Sequence, residues 1–259
     1  MRIAAIYDVH GNVAAVEAVL DEVDGLRPDL IIVGGDVAAG PMPRETLDRL
    51  IALRQPAVFI RGNADREVVD AYDRLHSGQR PSIDSSSAKD RAISWTAVQI
   101  SRAHRDFLAS FQTRATIEVE GLGPVLFCHG SPRSDEEIIT KVTPETRLAA
   151  ILAETDESIV VCGHTHVQFD RVVAGKRVVN AGSVGMPYEE KTGAYWALLG
   201  PSVELRRTEY DVERAARLVR ESGYLDAEDF AENNILNLPS PEEASEFFEK
   251  AEQEKERAA

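Results

Sequence analysis

Strand-like and helix-like patterns of apolar residues alternate over the first sixty residues. Short runs of apolar, partly β-branched residues at 3–7, 30–33 and 57–60 have the length and composition of buried strands. Between them, apolar positions recur at helical spacing in 13–23 and 43–53, and the second of these begins with a proline that a first helical turn accepts. The order β-α-β-α-β predicts three parallel strands covered by helices.

The pattern changes between about residues 65 and 112. This segment is rich in Arg, Asp and Ser, has few apolar side chains at helical spacing, and is interrupted at Pro81-Ser82 and Ser85-Ser86-Ser87. An ordinary connection has about 4–6 residues, so a segment of about 45 residues is too long to be one. We therefore expect two or three helices inserted between strands as a cap over one end of the sheet, and we expect this cap to select the substrate.

Strand-like runs return in the second half of the chain, separated by one helix at about 144–153. They lie at 115–119, 125–128, 159–162, 168–173, 177–180, 194–199 and 203–207. The runs 168–173, 177–180 and 194–199 look like successive hairpin strands, with Gly175-Lys176 as a two-residue turn between the first two. After Tyr210 the pattern is helical, over 212–222 and 241–257, which predicts a C-terminal helical extension.

Composition limits the classes of function. The 259 residues include 29 basic and 44 acidic side chains, for a formal net charge of −15. So acidic a chain is a poor partner for duplex nucleic acid, whose phosphates need clustered Lys and Arg. It leaves room for a local basic pocket that binds a small phosphorylated ligand.

Targeting and disulfide signals are absent from the sequence. No run approaches the roughly 18–20 apolar residues that span a bilayer, and a carboxylate at Asp8 interrupts any signal-peptide core. Two cysteines, Cys128 and Cys162, cannot form a disulfide framework; they are either an oxidation-sensitive pair or two small buried side chains. We expect a cytoplasmic protein with no membrane partner.

Seven side chains with oxygen or imidazole donors follow predicted strands. They are Asp8 and His10 after the first strand, Asp36 after the second, Asn63 after the third, His129 after 125–128, and His164 and His166 after 159–162. Ligands of open α/β sheets bind at the carboxyl ends of the strands. We therefore expect these donors to converge on one site.

This mixture of donors suits a pair of divalent metal ions. Two ions about 3.5–4 Å apart can clamp the attacking and leaving oxygens of a phosphoryl displacement. A shared carboxylate relieves their repulsion, and Asp36 on the central strand is the expected bridge. Imidazoles and an amide complete the coordination without the excess negative charge that would repel a phosphate ester.

Five short motifs in order resemble the signature of the calcineurin-like metallophosphoesterase superfamily, closest to its small bacterial and archaeal phosphodiesterase branch. They are Asp8-Val9-His10, Gly35-Asp36, Gly62-Asn63, His129-Gly130 and Gly163-His164-Thr165-His166, and the segment 179–185 is similar to that branch's Asn-Pro-Gly-Ser-Val-Gly turn. The resemblance implies an α/β fold, a four-layer αββα sandwich of two mixed sheets. It implies a metallophosphoesterase domain over 1–210, with the cap at 65–112, followed by a helical extension over 211–259.

The resemblance also implies a ligand set. One ion would take Asp8, His10, Asp36 and His166, and the other would take Asp36, Asn63, His129 and His164. A water or hydroxide between the ions, its pKa lowered by them, would be the nucleophile, which makes Asp36, Asn63 and His129 catalytic residues. Mn²⁺ is the leading choice for both ions, with Fe, Zn, Ni or Mg as alternatives.

One position departs from the resemblance. Many relatives have a histidine after the Gly-Asn pair that contacts substrate or protonates the leaving group, and this chain has Ala64 there. The proton donor is therefore His76, a metal-bound water, or none. A missing donor favours phosphodiesters and phosphoanhydrides, whose leaving groups need little protonation.

Substrate contacts are predicted from position alone. Arg61, Arg66 and Arg133 lie within a few residues of the ligands and are candidates to grip a phosphate. Asn12 is either a substrate contact or a helix cap. We expect His76 and His104 to be solvent-exposed residues on helices. Phe247 and Phe248 in the acidic last helix suggest packing on the body or on a second subunit.

These observations favour a metal-dependent phosphoesterase that cleaves phosphodiester or phosphoanhydride bonds. A nucleotide or dinucleoside polyphosphate, gripped by cap arginines such as Arg66 and Arg91, is the most specific substrate hypothesis. The alternatives are a phosphomonoesterase or phosphoprotein phosphatase, and a non-catalytic scaffold like the retromer subunit of this fold. All seven ligand positions are present, which argues against the scaffold.

Overall fold

A computed structural model of the chain describes residues 1–78 and 85–258. Within them the strands are β1 (Ile3–Ile6), β2 (Leu30–Val33), β3 (Ala57–Phe59), β4 (Arg114–Val119), β5 (Gly123–Cys128), β6 (Ile159–Cys162), β7 (Phe169–Val173), β8 (Lys176–Asn180), β9 (Ala194–Leu199) and β10 (Val203–Thr208). The helices are α1 (Val13–Leu26), α2 (Pro43–Ile51), α3 (Asn63–His76), α4 (Ala88–Gln99), α5 (Arg102–Ala109), α6 (Glu145–Leu152), α7 (Val212–Glu221), α8 (Ala227–Ala231) and α9 (Pro241–Ala258). A π-helical turn, Glu232–Leu236, follows α8.

The strands form two five-stranded mixed sheets, as expected for the predicted sandwich. The first has the order β10-β9-β1-β2-β3, with β1, β2 and β3 parallel as the sequence predicts. The second has the order β4-β5-β6-β8-β7, with β5, β6 and β8 parallel. The carboxyl ends of β1, β2, β3, β5 and β6 each lead into one of the predicted ligand segments.

Side-chain alternation along the strands separates the layers. In β1, Ala4 and Ile6 pack on the first helical layer, whereas Ile3 and Ala5 pack between the sheets against residues such as Phe127. The outer face of the second sheet packs on α6 in a third cluster. Both faces of the central strands are buried, which explains why their sequences are continuous apolar runs rather than alternating ones.

Two predictions about the second sheet are wrong. The hairpin turn is Ala174-Gly175, not Gly175-Lys176, because Lys176 already pairs with Val173 and both turn residues have positive φ, 52° and 79°. The run at 194–199 does not continue this hairpin series. It crosses to the first sheet as β9, where it pairs antiparallel with β1 and β10.

The middle and the end of the chain are helical. Three helices, α3 to α5, occupy the middle segment, and α3 begins at Asn63, so this predicted ligand is the first residue of the helix. The interruption at Pro81-Ser82 lies outside the described residues. The polar stretch after α7 contains α8 and the π-helical turn, which the sequence pattern did not predict. In the described part of the chain no helix is both long and apolar enough to cross a membrane.

Candidate metal centre

The structure brings the predicted donors together at one edge of the sandwich. Two groups of three residues form there: Asp8, His10 and His166 in one, and Asp36, His129 and His164 in the other. Within each group the ligand atoms lie within 4.8 Å of one another. The side chain of Asn63, the first residue of α3, is buried, with its Oδ1 inside the protein.

The two groups adjoin at the carboxylates. Asp36 Oδ2 lies 3.4 Å from His129 Nε2 in its own group and 3.9 Å from His10 Nε2 in the other. Asp8 Oδ1 lies 3.5 Å from His166 Nε2 and 3.9 Å from His129 Nε2. Asp36 is therefore placed where one carboxylate can serve both groups.

Five of the seven donors have a left-handed backbone, which non-glycine residues rarely adopt. They are Asp8, His10, Asp36, His164 and His166, with φ between 47° and 67°. Such conformations cost roughly 1–3 kcal/mol each and persist only when the surrounding structure holds them. Backbone hydrogen bonds from Asp8 to Gly35 and from His10 to Asp36 hold two of these turns. Strain is thus concentrated where the donors leave their strands.

Three of the histidines are oriented by backbone carbonyls at Nδ1. The pairs are His10 with Ala39 (3.1 Å), His129 with Gly34 (2.8 Å) and His166 with Met186 (2.8 Å). A carbonyl only accepts hydrogen bonds, so each Nδ1 carries the proton in the neutral ring. The lone pair on Nε2 then faces the centre of the site, the arrangement usual for histidines that bind metals.

Three buried polar atoms at this edge have no hydrogen-bond partner among the described residues. They are Asp8 Oδ1, Asn63 Oδ1 and His129 Nε2. An unsatisfied buried polar atom costs about 1–3 kcal/mol, so three in one place require an explanation. All three are electron-pair donors of the kinds that divalent cations accept. The residues present therefore fit a pair of divalent metal ions.

Burial and mutual attraction set the ionisation of the cluster. Burial opposes the charge on Asp36, but the neighbouring His129, His10 and His164 together outweigh it, so the pKa of Asp36 lies well below its usual range. Burial lowers the pKa of His129, whereas Asp36 raises it more, to about 10. Burial and the nearby His129 lower the pKa of His164 to about 4. A metal at His129 must therefore displace a proton, because a ligand histidine binds in its neutral form.

Two glycines allow the loops to approach the carboxylates closely. A Cβ at Gly62 would lie 2.1 Å from Asp36 Oδ1, and a Cβ at Gly163 would lie 2.4 Å from Asp8 Oδ2. Neither distance is sterically possible, and the atoms met belong to two of the donors. Glycine is therefore required beside Asn63 and His164.

Asp65 is a positioning residue that the sequence reasoning missed. Its Oδ2 accepts hydrogen bonds from the backbone N–H of Asp36 (2.8 Å) and Gly62 (2.9 Å), and its Oδ1 accepts one from Val37 (3.0 Å). Burial and the Asp36 carboxylate raise the pKa of Asp65 to about 7. The sequence feature that could have identified Asp65 is its position as the third residue of α3, where an acidic side chain commonly caps a helix.

Replacing Asp65 with asparagine should reduce both stability and metal content. An amide places an N–H₂ donor against backbone N–H donors, so the Asp36 loop loses an acceptor, at a cost of about 1–3 kcal/mol. Urea unfolding and elemental analysis measure the two effects. Asp70→Asn, an exposed change on the same helix, is the matched control. Equal unfolding midpoints for the two variants would show that Asp65 does not support the site.

The segment 179–185 connects the loop that contains Asp8 with the loop that contains His164. Asn180 Nδ2 donates to the carbonyl oxygen of Gly163 (2.7 Å) and to Thr165 Oγ1 (3.0 Å). Ser183 Oγ donates to the carbonyl oxygen of Asp8 (2.7 Å). The segment therefore holds the loops of Asp8 and His164 in one frame.

The structure gives Asn12 the role of a helix cap. Its Oδ1 accepts from the backbone N–H of Ala15 at the start of α1. Its Nδ2 donates to the carbonyl oxygen of Gly185 and to the Tyr210 hydroxyl, and the side chain is fully buried. These contacts occupy the groups that a substrate would need.

The arginines predicted to grip phosphate are engaged with carboxylates. Arg66 donates to both oxygens of Asp135 and to Glu136, and Arg133 donates to Glu137. Arg61 Nε lies 3.8 Å from Asp135 Oδ2. Arg61 and Arg133 nevertheless line, together with Arg114 and hydroxyl-bearing residues, a polar cavity of about 490 Å³ that reaches His129.

The remaining histidines and cysteines lie outside the cluster. His76 is exposed and stacks on Tyr72 of its own helix. His104 is buried, with Nε2 2.9 Å from Asp48 Oδ1, so the expectation of a solvated residue is wrong. It lies one turn before Leu108 on the buried face of α5. Cys128 and Cys162 are buried free thiols.

Helix α9 packs on the body beside the cluster. Glu249 accepts hydrogen bonds from Arg147 and from Thr140, and the ring of Phe248 lies 6.4 Å from that of His164. Phe247 is 69% exposed on the same helix. One aromatic residue of the pair therefore borders the site, and the other faces outward.

Comparisons with known proteins agree with this architecture. An uncharacterised protein of Methanocaldococcus jannaschii is 25% identical over 232 residues, which cover 82% of this chain and 89% of the relative. The crystal structure of a metallophosphoesterase from Sphaerobacter thermophilus is 28% identical, with a TM-score of 0.70, and covers 91% of this chain and 99% of that one. A hypothetical protein of Pyrococcus horikoshii shares the fold, with 19% identity, a TM-score of 0.79 and coverage of 92% and 99%.

The family assignment follows from the match of a family sequence model to most of the chain. The sequence model of the calcineurin-like phosphoesterase superfamily domain matches residues 1–199, which include every predicted metal ligand. The two mixed sheets and the donor cluster at their edge are the structural counterpart of that match. The chain therefore belongs to the calcineurin-like phosphoesterase superfamily, a family of metal-dependent hydrolases.

Proposed function

We propose that this protein is a binuclear metal-dependent phosphoesterase that hydrolyses phosphodiester or phosphoanhydride bonds, with a nucleotide as its substrate. The observation that carries the proposal is the trio of buried donor atoms on Asp8, Asn63 and His129 that have no hydrogen-bond partner among the described residues. Each is a potential ligand, and together they border both donor groups.

The residues would divide the metals as the family resemblance implies. Asp8, His10 and His166 would hold one ion, Asn63, His129 and His164 would hold the other, and Asp36 would serve both. When bound, the ions supply a clamp for the phosphoryl oxygens and a water of lowered pKa. The protein's own contribution is orientation: carbonyls fix three imidazoles, and Asp65 fixes the loop of Asp36.

The environment of Ala64 favours diesters over monoesters. Its backbone N–H donates to Asp36 Oδ1 at 2.8 Å, and its methyl group lines the cavity beside the ligands. A methyl group transfers no proton, so leaving groups that need little protonation are favoured. A diester monoanion would also repel an attacking hydroxide less than a monoester dianion would.

The pairing of the arginines favours a nucleotide over a dinucleoside polyphosphate. A long phosphate chain would need free guanidinium groups, but Arg66 is bound to Asp135 and Arg91 is bound to both oxygens of Asp226. The alternatives remain a phosphomonoesterase or phosphoprotein phosphatase and, less favoured, a scaffold. A scaffold has no need for strained, fully assembled ligand loops.

With Mn²⁺, bis(p-nitrophenyl) phosphate should be hydrolysed with a higher kcat/KM than p-nitrophenyl phosphate. Both release the same leaving group, so the comparison isolates the charge and substitution of the phosphate. EDTA is the control, and Fe, Zn, Ni and Mg complete the metal series. A preference for the monoester would support the phosphatase, and no hydrolysis with any metal would support the scaffold.

A further inference from the structure

A cavity of about 290 Å³ opens directly beside the donors His10, Asp36, Asn63 and His164. Its other walls come from α4 and from the segment 224–234 of the C-terminal extension. The match to the family's sequence model ends at residue 199, so the second of these walls lies outside the matched region. The size and chemistry of this cavity therefore depend in part on residues beyond that region.

Aromatic and aliphatic side chains form most of the far walls. Ile93 of α4, Tyr224 and Phe230 line the cavity and are themselves at least nine-tenths buried. The ring of Tyr224 lies edge-on between Trp95, 5.9 Å away, and Phe230, 6.2 Å away. This packing holds the rings in place, so the apolar walls are formed before any ligand binds.

An ion pair joins the two walls. Arg91 of α4 donates from Nε and Nη2 to the two carboxylate oxygens of Asp226, at 2.9 Å and 3.0 Å. Arg91 also donates to the carbonyl oxygen of Ser85. Helix α4 and the C-terminal segment therefore form a single surface opposite the metal ligands.

The charges in the lining do not suit a chain of phosphates. Among the described residues of the lining, apart from the histidines, the one cation is Lys89, whose Nζ already pairs with Glu67 at 2.7 Å. Asp229 adds a carboxylate, which repels anions and can accept hydrogen bonds from ring N–H groups, whereas the charge of Asp226 is neutralised by Arg91. The volume is at the lower end for ligand pockets, about 300 Å³, which limits the occupant to one ring system.

We propose that this cavity binds the organic group of the substrate, a single aromatic or heterocyclic ring system of the size of a nucleobase, and that Tyr224 and Phe230 determine this specificity. The proposal rests on the proposed function, because the cavity is a substrate site only if the adjoining donors hold catalytic metals. It assigns the C-terminal extension a direct part in substrate selection.

Calorimetric titration of the manganese-loaded protein tests the proposal. Adenosine 5′-monophosphate, uridine 5′-monophosphate and ribose 5-phosphate share the same phosphate and sugar and differ only in the ring. At least one nucleotide should bind tenfold or more tightly than ribose 5-phosphate. Equal dissociation constants for all three would overturn the proposal.

Two variants locate the effect. Ala92→Leu adds bulk to the α4 wall, and Phe230→Leu removes an aromatic face; each should reduce the nucleotide preference to less than threefold. Each should leave the dissociation constant of ribose 5-phosphate within twofold of wild type, which excludes misfolding. Phe247→Leu, an exposed phenylalanine on α9, is the matched control and should change nothing.

The proposal and the proposed function fail in different ways. A nucleotide preference that survives both Ala92→Leu and Phe230→Leu would overturn the cavity assignment, while hydrolysis of bis(p-nitrophenyl) phosphate would still support the phosphoesterase. A preference abolished by these variants in a protein that hydrolyses no phosphate ester would support the ring-binding cavity and reject the catalytic function.

Discussion

Replacing Asp36 with asparagine should lower kcat/KM for bis(p-nitrophenyl) phosphate at least a thousandfold, a loss of about 4 kcal/mol in transition-state stabilisation. The variant should also bind fewer than two metal ions per chain. Both effects follow from the position of this carboxylate between the two donor groups.

The geometry explains why an amide cannot substitute. Asp36 Oδ1 accepts the backbone N–H of Ala64, whereas Oδ2 faces His129 Nε2 and His10 Nε2. An asparagine keeps its one oxygen on Ala64 and turns its N–H₂ group toward the imidazoles. That group is uncharged and has no available electron pair, so it neither binds a cation nor relieves repulsion between two.

Elemental analysis and steady-state kinetics measure these effects on the same preparation. Asp21→Asn, which removes an exposed carboxylate on α1, is the control for the change in net charge. If the variant and the wild type unfold at similar midpoints when both are in EDTA, the variant is folded. Full activity with a single ion per chain would refute the shared role of Asp36.

Removing metal should lower the thermal stability of the protein by roughly 8–16 °C. Metal that binds only the folded state at about a thousand times its Kd adds about 4 kcal/mol. Each kcal/mol shifts Tm by about 2–4 °C in a chain of this size. The physical source is the group of buried donor atoms with no hydrogen-bond partner in the described part of the chain, which a cation would satisfy.

Thermal unfolding in EDTA and in excess MnCl₂ measures this difference. The shift should depend on metal concentration and should be smaller in the Asp36→Asn variant, which loses a shared ligand. NaCl at the same ionic strength is the control for salt effects that do not involve the site. A metal centre built from these residues would be contradicted if the Tm in EDTA equalled the Tm in saturating metal for every one of the candidate metals.

The ligand positions were predictable because they follow from local rules. Apolar runs of strand length identify β1 and β2, and Asp8 and Asp36 come directly after them. Parallel strands end at the same edge of a sheet, so the side chains that follow these strands must be neighbours. The order of motifs then linked the edge to a family, and the match over residues 1–199 shows that membership.

The hydrogen bonds that position the donors could not be predicted from the sequence as readily. The carbonyls of Gly34 and Met186 that orient His129 and His166 have no sequence signal, because every residue carries a carbonyl. Asp65 carried a weak signal as a helix-capping residue, but its bonds to the Asp36 loop join residues 29 apart in the chain. The sequence pattern groups the strand at 194–199 with the hairpin strands before it, because its actual pairing partners, β1 and β10, cannot be inferred from periodicity.

The composition of each segment thus determined which elements form and which side chains leave the strand ends, since these depend on neighbours within a few residues. Strand order between the sheets, the partners of the arginines and the walls of the cavity depend on contacts between distant segments. Arg91 and Asp226 are 135 residues apart, and neither is marked by its neighbours as the other's partner. Their pairing follows from how α4 and the C-terminal extension pack together, because a contact between remote segments is selected by the shape and charge of the whole folded chain.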